Sequence, residues 1–267
     1  PRKEFFGKGV VLQLIQDLIA ISNLKDLEAF EKRECYNALS ALHEYINAHD
    51  PDDVFIKEII KKVELIMLQL IISSKASSIF KLQVKKYSED QVKIYDDVVR
   101  QRKSVRNFSD VRVEPVALKE AIELALLSPS VCNRQAWTVT HVTGLQKVQG
   151  ILALQNGNRG FEQKVKEVLV ISMDLNRSLI PEERHQHLYD AGLFSMNLVN
   201  GMISRGICSC FLNWCVKSEL DKKLRYLIGL PLNEKPVVMI AIGYPEVDAL
   251  VCASPRKSID SAFREIS

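Results

Sequence analysis

Residues 102–108 of this chain read Arg-Lys-Ser-Val-Arg-Asn-Phe. Three cations and a hydroxyl lie within five positions, and Phe108 follows as an apolar residue that can anchor the segment. Taken alone, such a cluster is more typical of a solvated charge run than of a binding site for an anion such as phosphate. The rest of the chain has to decide between these two interpretations.

Composition places the chain among ordinary globular proteins. Its 267 residues suffice for one large domain or two smaller ones, and 47% of them are hydrophobic and 26% charged. A net charge of +3, without a basic stripe interleaved with aromatic residues, argues against a nucleic-acid partner. The longest apolar run, residues 65–73, is far shorter than the ~20 residues that span a membrane. We therefore expect a soluble, cytoplasmic chain, and the start at Pro1 without a visible signal peptide indicates a processed or truncated N-terminus.

The six cysteines do not follow the spacing of a disulfide scaffold. Cys208, Cys210 and Cys215 could supply three thiolates to zinc, but no fourth ligand follows at a suitable distance. We expect reduced, buried thiols and no bound metal.

Residues 1–87 are predicted to form an all-helical region. Apolar residues recur every three or four positions, which predicts helices over 10–19, over 24–48 and from Pro51 through residue 71. The stripes favour a hairpin or bundle that packs on itself or on a second subunit, and a coiled coil that docks a partner protein is the alternative. No catalytic constellation appears here, so we assign any catalytic function to a second domain, residues 88–267.

Residues 88–267 alternate between helix and strand signals. Ser88 followed by Gln91 matches a capping box, and Glu114-Pro115 opens another helix. Further helices are predicted over 145–154, 181–205 and 218–229, and strands over 137–142, 168–173, 207–212 and 236–242.

The helix predicted from residue 181 carries the most specific packing predictions. His185 and His187 are two positions apart, so they cannot form a metal pair on one helix face, and we expect both at the surface. Gly192 and Gly201 are expected to allow neighbouring elements to approach closely.

Two loops carry groups suited to binding. Residues 128–135 lie between a predicted helix end and a strand start, and Ser130, Asn133 and Gln135 offer uncharged donors and acceptors there. Residues 156–161 form a glycine-punctuated turn with the composition of a phosphate-binding loop. This turn lacks the Lys-Ser/Thr pair of a P-loop and the spacing of a dinucleotide fingerprint.

Five short motifs follow one another in the second half of the chain. They are RKSVRNF at 102–108, SPSVCNRQAW at 128–137, DAG at 190–192 leading to RGICSC at 205–210, IGLP at 228–231 and IAIGYP at 240–245. Each motif is weak alone, but in this order they resemble the flavin-dependent nitroreductase family over residues 93–267. The resemblance implies an α+β fold with a mainly antiparallel sheet flanked by helices, an intertwined homodimer, and one FMN at each of two subunit interfaces.

The resemblance also implies which residues bind the FMN phosphate. Arg102, Ser104 and Arg106 would hold the phosphate and the ribityl chain, with Lys103 near the ring. A dianionic phosphate suits guanidinium and hydroxyl donors. Arg256, near the C-terminal end, would add a second cation.

The contacts to the flavin ring follow from the same resemblance. The segment that passes over the flavin of the other subunit would contribute Ser128, Pro129, Ser130, Asn133 and Gln135. Asn158 would contact the pyrimidine edge, and the strand end would place a backbone N–H at flavin N5 through Leu212, Asn213 and Trp214.

Two positions depart from the family pattern. Ala136 stands where the family usually has proline, which loosens the turn before Trp137. Trp214 stands where the family usually has a small residue, so its ring could narrow the substrate face or lie elsewhere in the core.

The implied function is that of an FMN-dependent oxidoreductase without a catalytic side chain. NADH or NADPH would pass a hydride to FMN and leave, and a small nitro, quinone or related substrate would then take the electrons at the same face. A specialised enzyme for ring oxidation, dehalogenation or flavin cleavage is an alternative. Another is a flavin-binding scaffold whose N-terminal helices dock a partner protein.

Overall fold

The structure, a computed structural model, describes residues 7–23, 29–70, 83–178 and 180–266. The chain divides into two compact units, Pro1–Lys86 and Tyr87–Ser267. The helices are α1 (Lys8–Ser22), α2 (Ala29–Asn47), α3 (Val54–Leu70), α4 (Glu89–Gln101), α5 (Pro115–Ala125), α6 (Leu145–Leu152), α7 (Gln186–Ile203) and α8 (Ser218–Ile228). The strands are β1 (Trp137–Val142), β2 (Glu167–Asp174), β3 (Cys208–Asn213) and β4 (Glu234–Gly243).

The N-terminal unit contains α1, α2 and α3, as the apolar periodicity predicts. Asp53 directly precedes α3 and caps it, since its carboxylate accepts hydrogen bonds from the N–H groups of Phe55 and Ile56 at 2.8 and 3.2 Å. The apolar stripes of the three helices face one another and bury a common core: Val11, Ile15, Leu18, Cys35, Leu39, Leu42, Ile56, Ile59, Val63 and Ile66. The predicted helix positions 24–28 and 71 lie outside the described residues. Among the described residues, no helix has the length and apolarity needed to cross a bilayer.

The second unit is built on a four-stranded sheet with the order β1-β2-β4-β3 and antiparallel pairing throughout. Trp137 pairs with Met173 at one end of β1, and Val142 pairs with Val168 at the other. The predicted α+β fold with a mainly antiparallel sheet is confirmed.

Strand β2, one of the two inner strands, is buried on both faces, so its alternate side chains enter different cores. Val168 and Val170 pack with residues of α6 and α8 on one face. Leu169 and Ile171 pack with residues of α5 and α7 on the other. The unit therefore has three layers, with helices on both faces of the sheet.

Two local predictions for the fourth and fifth helices are confirmed. Ser88 accepts a hydrogen bond from the N–H of Gln91, and the Gln91 side chain accepts one from the N–H of Ser88, which completes the capping box of α4. Pro115 occupies the first turn of α5.

Helix α7 differs from its prediction in three ways. It begins at Gln186 rather than residue 181, because the polar stretch before it forms a separate 3₁₀ turn, Pro181–Glu183, and supplies no apolar face. His187 is buried, so its predicted surface position is wrong, whereas His185 is exposed. Gly201 lies against the Ala121 backbone, where an added Cβ would be 3.2 Å from it, but Gly192 faces open space.

Candidate FMN-binding site

The 102–108 segment runs along the edge of the sheet directly after α4. The Val105 N–H donates to the Ser209 carbonyl at 3.0 Å, and Ser104 forms a parallel bridge with Ser209. Val105 is buried, so the alternating side chains of an extended segment place Ser104 and Arg106 on the side opposite to it, and Phe108 is buried farther along the segment. Phe108 fills the space beside Gly243, where a Cβ would lie 2.9 Å from its ring. The predicted anchor role of Phe108 is confirmed.

A cleft of about 810 Å³ opens beside this segment. Its wall brings together Arg102, Lys103 and Arg256, which are separated by about 150 positions in sequence, and Arg100 joins them. Within the described residues, none of these four cations forms an ion pair with a carboxylate. The Arg256 guanidinium donates to the Ser254 carbonyl and so stays within its own segment. Four cations without partner anions on one wall fit a dianionic phosphate.

Arg106 points toward a different neighbour. Its guanidinium carbon lies 5.7 Å from the centre of the Phe161 ring, at the edge of cation–π distance. The Arg106 side chain is not part of the wall that carries Arg102 and Arg256.

The 128–135 loop is folded onto itself and onto α7. Ser128 is buried and accepts a hydrogen bond from the Asn197 amide at 2.8 Å, while Pro129 is exposed. Ser130 Oγ accepts from the Gln135 N–H at 3.0 Å, and the Gln135 side chain donates to Asn133 Oδ1 at 2.9 Å. The loop thus brings the amides of Asn133 and Gln135 into contact with each other.

Asn158 does not line the cleft of Arg100, Arg102, Lys103 and Arg256, which we call the cation cleft. It is buried, and its amide donates to the Leu152 and Gln155 carbonyls at 2.6 and 3.3 Å. It lines a second cleft of about 430 Å³ together with residues of α6 and Arg159. The structure therefore does not bring Asn158 into the cleft of Arg102.

The end of β3 resolves the two interpretations of Trp214. Leu212 is buried and Asn213 exposed. Trp214 is only 8% exposed, packs within the core on the α6 and α8 face, and donates its indole N–H to Asp221 Oδ1 at 3.0 Å. Its ring lies in the core rather than on an open face.

The sequence did not indicate one contact, which joins the glycine-punctuated turn at residues 156–161 to the end of β3 through Gln155. The buried Gln155 side chain accepts a hydrogen bond from the Gly157 N–H at 2.6 Å and donates to the Asn213 carbonyl at 2.9 Å. Gln155 and Asn213 are 58 positions apart, and no local pattern marks a contact over such a separation.

Two buried titratable groups of this unit, Glu167 and His187, lie outside the two clefts. Burial tends to raise the pKa of Glu167, but hydrogen bonds from His141 and the Val113 N–H outweigh it, so the pKa is lowered. Burial, followed by the charges of Lys235 and His185, lowers the pKa of His187.

The predicted burial of the thiols is only partly correct, because Cys210 is buried and Cys208 half-buried, whereas Cys132, Cys215 and Cys252 are exposed. Burial raises the pKa of the Cys208 and Cys210 thiols, which disfavours the nucleophilic thiolate. Across the described residues, no group of three His, Cys, Asp or Glu side chains is placed to hold a metal ion.

Known proteins resemble this chain in sequence. A sequence model of the nitroreductase family matches residues 99–178. A 4-nitrobenzoate reductase from Nocardioides sp. is 38% identical over an alignment of 222 positions, gaps included, and the match covers 63% of this chain and 88% of the relative. The chain belongs to the nitroreductase family. An iodotyrosine deiodinase from Daphnia pulex is 23% identical over 188 residues, covering 60% of this nitroreductase-family chain and 62% of the deiodinase.

Solved structures confirm the fold of this family member. An FMN-dependent nitroreductase from Clostridium difficile superposes with a TM-score of 0.54 at 20% identity, over 64% of this chain and 98% of the other. A nitroreductase family protein from Streptococcus pneumoniae gives a TM-score of 0.55 at 20% identity, over 64% and 100%. Membership of this family makes the chain an oxidoreductase.

Proposed function

We propose that this chain binds FMN and uses NADH or NADPH to reduce a small nitro or quinone substrate. The observation that carries the proposal is the cation cleft, where Arg102, Lys103 and Arg256 meet and form no ion pair with a carboxylate of the described residues. Ser104 follows Arg102 and Lys103 in the same segment but does not line the cleft. A dianionic phosphate suits such a group of cations.

Bound FMN would supply the hydride and electron chemistry, which no side chain needs to perform. The residues of this chain would bind the phosphate, orient the ring and shape the substrate face. Support comes from the relatives, since a 4-nitrobenzoate reductase and an FMN-dependent nitroreductase are among the similar proteins. A nitroaromatic is accordingly the substrate class to test first.

The proposed active form is a homodimer. Helix α4 has no buried residue in the single chain, and Val92, Ile94 and Tyr95 are 50%, 64% and 65% exposed. Residues 250–266 are exposed along their whole length. A second copy of the chain would cover these apolar side chains and would allow the 128–135 loop to reach the flavin of its neighbour.

The proposed function is tested by stepwise reduction without oxygen. The FMN-loaded full chain is mixed with NADH or with NADPH, the oxidised nicotinamide is removed, and 4-nitrobenzoate is added. We expect loss of the visible flavin absorbance in the first step and its return in the second. If neither nicotinamide bleaches the flavin, or if the nitro compound leaves it bleached, the proposal is wrong.

A second candidate is reductive removal of a halogen, which the similarity to iodotyrosine deiodinase favours. Release of iodide from an iodinated phenol, faster than turnover of 4-nitrobenzoate under the same conditions, would select it.

A further inference from the structure

The loop that carries Asn133 and Gln135 has an unusual backbone. Cys132, Asn133 and Gln135 have φ angles of 48°, 55° and 48°, all in the left-handed region. For residues with a side chain this region is unfavourable and persists only where the surroundings impose it. Three such residues within four positions require restraints from neighbouring groups.

Backbone hydrogen bonds supply the restraints at the ends of the loop. The Val131 N–H donates to Asp190 Oδ2 on α7 at 3.2 Å. At the other end, the Asp174 N–H donates to the Ala136 carbonyl at 2.8 Å. Inside the loop, the N–H groups of Asn133 and Gln135 both donate to Ser130 at 3.0 Å, so the side chain of Arg134 is the remaining restraint to consider.

Arg134 holds the middle of the loop. Its Nη1 donates to Glu183 Oε2 at 2.6 Å and to the Arg177 carbonyl at 3.0 Å. Both side chains of the pair are only 16% exposed, so water screens the attraction weakly. Arg134 lies between two strained residues, and its partner belongs to the 3₁₀ turn before α7.

The amides next to Arg134 in sequence are in contact with each other. The Gln135 amide donates to Asn133 Oδ1 at 2.9 Å. A loop released from Glu183 would relax toward ordinary φ values and turn both amides away from this arrangement.

We propose that Arg134 and Glu183 form a strut that keeps the 130–135 loop in its strained shape and so orients the Asn133 and Gln135 amides toward the bound substrate and flavin. Arg134 is then a positioning residue and takes no part in the chemistry. This role rests on the proposed function, because the amides have a ligand to orient only if the site binds flavin.

The experiment compares Arg134→Met with Arg205→Met in the full chain. Arg205 also pairs with a carboxylate, Glu120, at 2.9 Å, but lies at the end of α7 and away from the loop. In Arg134→Met we expect amide hydrogen exchange of residues 131–135 to rise about tenfold, which corresponds to a loss of ~1.4 kcal/mol. We expect KM for 4-nitrobenzoate to rise by a similar factor, while kcat changes about twofold or less. Arg205→Met should change neither the exchange of this loop nor KM.

The charge-swapped double variant, Arg134→Glu with Glu183→Arg, provides the rescue. It should restore part of the protection from hydrogen exchange and bring KM part of the way back to the wild-type value. The recovery is partial because the attraction is restored while the bond to the Arg177 carbonyl is not. If Arg134→Met fails to fold, Glu183→Gln takes its place, because it keeps the shape of the pair and removes one charge. We expect the same increases in loop exchange and in KM, but smaller ones. Wild-type exchange and KM in a folded variant would overturn the strut.

The hydrogen-exchange measurement needs no flavin. A wild-type chain that binds no FMN would refute the proposed function and with it the orienting role, whereas faster loop exchange in Arg134→Met would still establish the mechanical part of the strut.

Discussion

Replacing Trp214 with phenylalanine tests whether its ring is structural. The change removes the indole N–H that donates to Asp221 at 3.0 Å and keeps an aromatic ring in the core. A hydrogen bond to a charged group contributes about 1.5–3 kcal/mol. Asp221 keeps its 2.8 Å bond from Arg225 and is 27% exposed, so we take the lower end of this range. The smaller ring costs about 1 kcal/mol more.

The expected loss of stability is therefore about 2.5 kcal/mol, or a fall in Tm of about 5–10 °C for a unit of this size. The chain has two tryptophans, Trp137 and Trp214, and both lie in the second unit. Tryptophan fluorescence during urea or thermal unfolding thus reports on that unit alone, and Trp137 remains as the probe in the variant.

The functional readout separates the two interpretations of this position. Because Trp214 is 8% exposed in the core, Trp214→Phe should leave KM for 4-nitrobenzoate within about twofold of the wild-type value. An unchanged unfolding midpoint with a clearly altered KM would place the ring on the substrate face and refute the structural assignment.

Two further predictions concern pH. Glu167 has a lowered pKa in the folded state, so the unfolded chain takes up its proton first as the pH falls. Stability is therefore lost as the pH drops below the usual value of 4.5 and through the folded pKa. Glu167→Gln should make the urea midpoint less dependent on pH in this range. His187 also has a lowered pKa, so protonation of the unfolded chain below the usual value of 6.5 reduces stability. The free energy of unfolding of His187→Phe should therefore rise relative to that of the wild type as the pH falls from about 7.5 to about 5.5. An equal pH dependence in both proteins would contradict the assignment.

Local signals predicted most of the secondary structure. Strand β1 occupies the predicted residues 137–142, and the capping box at Ser88 begins α4 as predicted. Such features depend on side chains within a few positions of one another, which the sequence displays directly. Phe108, an apolar residue directly after the charged run, is likewise buried as predicted.

The failures involve contacts between distant parts of the chain. His187 is polar and lies in a polar stretch, yet the packing of α7 buries it. The Arg134–Glu183 pair spans 49 positions and the Gln155–Asn213 contact 58, so neither has a sequence pattern. The FMN contacts and the role of residues 1–87 remain predictions.

The most direct test of the account is FMN binding by the full chain, measured by calorimetry or flavin fluorescence in the wild type, in the Arg102→Gln, Arg256→Gln double variant and in an Arg205→Gln control. We predict one FMN per chain in the wild type. The double variant should bind at least about tenfold more weakly, because each lost cation removes a charge-assisted bond of about 1.5–3 kcal/mol, and the control should match the wild type. Absence of FMN binding in the wild type, or undiminished binding in the double variant, would contradict the central claim that the cation cleft holds the flavin phosphate.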